Sequence, residues 1–168
     1  MKISYHIAVI LIITFTVSTC TKPETSTSRY DPKITKNYDA KQLLTLHNLA
    51  REQGGKCGNR KIRKSGELRW NKQLAAAALR HSTDMAKHQF FAHIGSDKSN
   101  TKDRVNNSNY QWKKYGENLA FRQPTPELVF IDWLARAEHC RNILDKDFNE
   151  MGAAVVNGYW TVVFAAKR

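Results

Sequence analysis

The sequence predicts an α+β protein whose helices pack in layers against a mainly antiparallel sheet. Three observations predict it. Two stretches, 43–50 and 74–85, carry apolar residues at helical spacing. Thr125-Pro126 marks another helix start, because threonine caps well and proline at the first helical position gives up an N–H that has no partner there anyway. The chain closes on two apolar runs, 152–156 and 159–165, joined by Asn157-Gly158, a pair that favours a two-residue β-hairpin.

Taken in order, the first helix presents Leu43, Leu46, His47 and Ala50, and Gly54-Gly55 stops it. Residues 56–66 read as a basic loop holding Cys57 and the cluster Arg60, Lys61, Arg63 and Lys64. A short strand follows over 67–70. Asn71 caps a helix that runs to about residue 88, with Leu74, Ala78, His81 and Met85 on one stripe. The alanines at 75–78 favour helix and allow close approach. Residues 90–110 are polar and loop-rich, with a short helix near 102–106, and residues 115–121 are extended. The Thr125-Pro126 helix turns Leu128, Ile131, Trp133 and Leu134 inward and ends near Glu138. His81 reads as a core histidine. Trp70, Trp112, Trp133 and Trp160 read as core or cleft walls. The 60–64 cluster reads as a solvated loop, with contact to a polyanion as the alternative.

The chain has 168 residues, enough for one domain with its own core. At 41% hydrophobic and 25% charged residues it has an ordinary globular composition. Its 27 Lys and Arg outnumber 15 Asp and Glu, a formal charge of +12 that draws polyanions. Charge alone does not choose among nucleic acid, anionic lipid and acidic polysaccharide.

The N-terminus does choose. Lys2 precedes an uncharged, mostly apolar run over 3–19, the pattern of a secretory signal peptide and short for a membrane span. The run ends Val17-Ser18-Thr19-Cys20, which resembles a bacterial lipobox. On that reading residues 1–19 are a lipoprotein-type signal peptide, Cys20 is lipidated, and the polar, Pro- and Ser/Thr-rich stretch 20–37 is a flexible tether to a domain over 38–168. The protein is then exported, as a membrane-anchored lipoprotein facing the periplasm or the cell surface, or secreted if Cys20 is not lipidated. Removing 1–19 takes away Lys2 and no acid. The basic surface of an exported chain faces envelope polyanions rather than nucleic acid. With Cys20 used for lipid, Cys57 and Cys140 remain, and in an oxidising compartment they form one disulfide or stay as two buried thiols.

Two histidines and a glutamate stand out from three separate segments: Phe90-Phe91-Ala92-His93, Gly116-Glu117-Asn118 and Ala137-Glu138-His139-Cys140. No close-spaced metal motif accounts for them, so the fold must bring them together. These segments also carry a family resemblance. The run 74–82 with Asp84-Met85-Ala86, then Phe90-Phe91-Ala92-His93, Tyr115-Gly116-Glu117-Asn118-Leu119-Ala120, Trp133 with His139 and Asn142-Ile143-Leu144, Met151-Gly152-Ala153, and Tyr159-Trp160-Thr161 with Phe164 resemble, in order, the motifs of the bacterial CAP superfamily (SCP or PR-1-like) domain.

The resemblance implies a three-layer α-β-α sandwich with a cleft lined by histidines and acids. It implies His93, Glu117 and His139 as ligands for zinc or another divalent metal. It also supports the Cys57–Cys140 bridge, since many Gram-negative members carry cysteines at these places. The chain departs from the family at Arg136-Ala137-Glu138, where Ser-Pro-Gly is usual. Arg136 stands where many eukaryotic members have a second acid, and Glu138 is the candidate to replace it. Lys98 stands where glycine is common, and Val162 where glutamine is. Two functions follow as expectations. One is a binding module at the bacterial envelope, with a lipid, sterol-like molecule or anionic glycan as ligand. The other is a metal-assisted hydrolase of peptide or peptidoglycan-like substrates, with Glu117 as general base for a metal-bound water.

Overall fold

A computed structural model describes residues 39–168; the segments expected as signal peptide and tether, with Cys20, lie outside the described residues. Helix α1 (Ala40–Gln53) is capped by Asp39, whose carboxylate accepts from the Lys41 N–H, and it stops at Gly54. Strands β1 (Gly55–Cys57) and β2 (Arg60–Ile62) pair as a small antiparallel hairpin. The stretch expected as a basic loop is thus a short hairpin up to Ile62 and loop only beyond it; strands of three residues, Gly-Lys-Cys and Arg-Lys-Ile, are too short and too charged to show a periodic apolar signal. The short strand β3 (Arg69–Trp70) leads into α2 (Lys72–His88), where Asn71 accepts from the N–H groups of Gln73 and Leu74 as expected. A capping box between Asn100 and Asp103 opens α3 (Thr101–Asn107).

Strand β4 (Trp112–Phe121) is followed by α4 (Pro126–Ala135), α5 (Ala137–Leu144), β5 (Glu150–Val156) and β6 (Tyr159–Lys167). The helix expected to end near Glu138 is two helices. Arg136 takes an extended conformation between them, at φ −99° and ψ 121°. The inward face of α4 also differs from the expected one. Val129, Phe130 and Trp133 are buried, whereas Leu128 and Ile131 are exposed. So apolar a helix marks no face by periodicity, and its packing partners choose one. Asn157 and Gly158 both have positive φ, 47° and 81°, as a tight hairpin turn between β5 and β6 requires.

The main sheet has the order β3-β5-β6-β4, antiparallel except for the short β3–β5 pair. Alternation along β6 divides the core in two. Trp160, Val162 and Phe164 pack with Leu43, Val129, Trp133 and Ile143, from the layer of α1, α4 and α5. Val163 and Ala165 pack with Leu74, Ala77, Ala78 and Val105, from the layer of α2 and α3. The expected three-layer α-β-α sandwich is what forms. At the sheet, α2 sits against Gly152: a Cβ there would lie 2.1 Å from the Ala75 nitrogen.

Two further ties fix the layer of α1, α4 and α5. The Cys57–Cys140 disulfide forms, joining the β1–β2 hairpin to α5 across 83 residues of sequence. Arg51 of α1 is fully buried and donates to the carbonyls of Gly66, Ile143, Asp145 and Phe148. A guanidinium beside the last carbonyls of α5 is favoured by the helix dipole and satisfies acceptors the helix cannot. Burial pulls its pKa down to about 10, so it stays charged at neutral pH. No helix among the described residues is long and apolar enough to cross a membrane.

Candidate functional site

The site forms at β4, the edge strand, because β4 presents successive residues to opposite layers. Glu117 faces α2 and α3, where its Oε2 accepts from Arg104 Nη2 at 2.8 Å. Asn118 faces α5, where its amide donates to the His139 carbonyl at 3.1 Å and its oxygen accepts from Asn142 at 2.8 Å. Gly116 completes the motif: a Cβ there would press on the Phe148 ring at 3.0 Å and the Asn142 oxygen at 3.2 Å.

His93 comes from the loop between α2 and α3. Its Nδ1 lies 2.8 Å from Glu117 Oε1, and its ring is 56% exposed while the Glu117 side chain is 3% exposed. The loop is held from both sides. His81 Nε2 lies 2.9 Å from the Ala92 carbonyl, and Arg104 donates to the carbonyls of His93 and Ser99. Burial lowers the His81 pKa, so the ring is neutral at pH 7 and Nε2–H is the donor. Lys98 sits in this loop at φ 67°, in the left-handed region, which is why glycine suits that position.

Arg104 is a member of the site that sequence reasoning missed. It stands alone in a polar stretch, and its role depends on α3 laying its side chain under the loop. It is 2% exposed and forms a buried ion pair with Glu117. Burial by itself would raise the Glu117 pKa; the His93 hydrogen bond and the Arg104 charge outweigh it, and the carboxylate stays below its ordinary range.

His139 approaches from the other layer, on the first turn of α5. Burial lowers its pKa, helped by the charges of Arg136 and His93, so at neutral pH it is an uncharged imidazole. Its Nδ1 is buried without a hydrogen-bond partner among the described residues. Glu138 is directed elsewhere: its side chain is 88% exposed and lies 3.8 Å from Arg141. Arg136 pairs with Asp132 at 3.4 Å.

The donor chemistry suits a metal only in part. Two imidazoles, those of His93 and His139, are the nitrogen donors the site offers. Both Glu117 oxygens are engaged, and no group of three His, Cys, Asp or Glu residues among the described residues is placed to hold a metal ion. A carboxylate on the far nitrogen of a histidine is, however, the usual way to orient a ligating ring.

Residues 44–164 match the CAP domain of the cysteine-rich secretory protein family, and the chain belongs to that family. It is 27% identical over 124 residues to the uncharacterized membrane protein YlbC of Bacillus subtilis, covering 74% of this chain and 33% of that one. Its fold superposes on an extracellular SCP-domain protein of Bacillus anthracis with a TM-score of 0.69 at 25% identity, over 76% of this chain and 40% of that one. It also superposes on an outer surface protein of Borrelia burgdorferi, with a TM-score of 0.60 at 15% identity, over 77% and 96% of the two chains. The chain spans between 33% and 54% of the length of the curated relatives it matches.

Proposed function

We propose that this chain is an exported protein of the bacterial envelope, anchored through Cys20 and its tether, whose CAP domain acts as a binding module through the His93–Glu117–His139 cleft. Family membership supports the module, and the membrane, extracellular and outer-surface descriptions of its relatives support the location.

One observation carries the preference for binding over hydrolysis. Glu117 is ionised, buried and bonded through both oxygens, to His93 and to Arg104. A general base needs a free lone pair and a pKa near the working pH. Glu117 lacks that pKa, and its side chain is almost wholly out of solvent, so it suits instead the role of orienting His93, whose Nε2 is then turned away from the carboxylate. The metal reading follows the same geometry: His93 and His139 as ligands, Glu117 behind His93, and solvent in the other positions. A bound zinc would supply Lewis acidity there. Two protein ligands fall short of the three usual in catalytic zinc sites.

Zinc titration calorimetry on the wild-type chain and on His93→Ala tests this reading. Stoichiometric binding that His93→Ala abolishes supports the two-histidine site. Zinc affinity retained in His93→Ala/His139→Ala removes it. Defined turnover of a peptide or peptidoglycan fragment that Glu117→Gln abolishes would favour the hydrolase.

A further inference from the structure

We propose that the cleft between the β1–β2 hairpin and the end of α5 is a second binding site, one that takes a polyanionic glycan bearing carboxylate or sulfate groups. The cleft has a volume of about 560 Å³ and is lined by seven cationic side chains against two carboxylates. Lys114 bridges both carboxylates, Asp145 at 2.7 Å and Asp147 at 2.9 Å, and the lining as a whole keeps a formal excess of five positive charges. Arg60, Lys61, Arg63, Lys64 and Lys146 have no ion-pair partner among the described residues. Arg141 has only its distant contact with Glu138.

This charge is held together against its own repulsion. Lys56 and Lys61 stand directly opposite each other in the hairpin, a pairing that destabilises two strands. Backbone pairing holds the two strands together, and the Cys57–Cys140 bridge anchors the hairpin to α5, the other wall of the cleft. A ligand that brings negative charge finds cations already gathered, and little further ordering is needed on binding. Arg60, Arg63 and Arg141 add guanidinium forks, which match carboxylate and sulfate groups through paired hydrogen bonds.

Shape and composition favour a glycan over a bilayer. The site is a cleft, whereas a membrane surface meets a flat or convex face. The large exposed apolar residues are Leu49, Leu79, Phe91, Ile94, Leu128 and Ile131, and none of them lines this cleft. Nothing there can insert into the acyl boundary as interfacial anchors do. The cleft contains no side chain of His93, Glu117 or His139, so this inference is independent of the function proposed above.

The experiment is a fluorescence binding titration of the full chain, in mild detergent, with labelled heparin octasaccharide and labelled oligogalacturonate as probes. Phosphatidylglycerol vesicles form the comparison arm. Arg60→Glu/Arg63→Glu is expected to weaken glycan binding by about tenfold or more, while Lys41→Glu/Lys87→Glu, with the same net charge, weakens it by less than about threefold. The neutralising pair Lys64→Gln/Lys146→Gln, checked by an unchanged unfolding curve, is expected to weaken it in the same direction. His93→Ala/His139→Ala is expected to leave it unchanged. Equal losses in the hairpin pair and the control pair would overturn the site. So would vesicle binding without glycan binding, or no binding to either glycan.

Discussion

Arg104 Nη2 lies 2.8 Å from Glu117 Oε2 with both side chains almost wholly out of solvent, so the buried carboxylate charge is balanced by an arginine of α3. The same guanidinium group holds the His93 carbonyl. Removing either partner of a buried pair strands the other, whereas removing both does not.

Arg104→Met is therefore expected to lower stability by about 3–5 kcal/mol, and Arg104→Met/Glu117→Gln by clearly less than the sum of the two single changes. A double-mutant cycle from urea unfolding checks this. Additive single effects would mean that the two groups do not act as a pair.

Arg51 serves four carbonyls from three segments. Arg51→Met keeps much of its volume and removes every donor. We expect a loss of about 3 kcal/mol or more, because buried acceptors are left unpaired. Hydrogen exchange should show opening concentrated at the end of α5; a loss spread evenly over the fold would argue against this tie.

His47 is fully buried among Phe130, Trp133 and Phe164, with Nδ1 on the Leu43 carbonyl. Desolvation lowers its pKa from 6.5 to about 4. Below pH 6.5 the unfolded chain takes up a proton that the folded chain refuses, so stability falls as pH falls from 6.5 towards 4, by about 3 kcal/mol in all. The Glu117 carboxylate, with its lowered pKa, adds a further loss at more acidic pH. His47→Phe should flatten the upper part of the curve and leave the lower part. An unchanged curve in that variant would assign the acid sensitivity to other groups.

Cys57→Ser/Cys140→Ser is expected to cost about 2–4 kcal/mol, short of the ~4–5 kcal/mol that chain entropy alone assigns to a loop of this length. His139 precedes Cys140, so any zinc affinity of the cleft should fall with it. Calorimetric titration of this variant beside the wild type checks the coupling; full affinity in a destabilised variant would separate α5 position from the bridge.

Much of the fold was legible because periodicity and turn chemistry agreed. Asn71, Thr125-Pro126 and Asn157-Gly158 mark the boundaries they were expected to mark. The break at Arg136 was not legible, because no glycine or proline announces it and a surface pair with Asp132 sits across it. Leu128 and Ile131 misled for a related reason: on an apolar helix, tertiary contacts decide which residues turn inward. At the site, His93, Glu117 and His139 could be picked out as residues, but not as an arrangement. That Glu117 and Asn118 serve opposite layers follows from strand alternation once helices are known to cover both faces of the sheet. Arg104 depends on a buried ion pair across 13 positions, for which local sequence holds no signal.

The bare α-carbon of Gly152 has a mechanical consequence for the His93–Glu117 pair. Backbone of the first turn of α2 rests directly on that strand, and about two turns further on the same helix carries His81, which grips the segment leading to His93. A rigid rod that lies along the sheet and carries a loop from its side passes on any shift of its seat. Any side chain added at Gly152 would push the rod off the sheet, and the displacement would be felt farther along, where the imidazole meets its carboxylate. The His93–Glu117 contact is thus calibrated by a residue that never touches it.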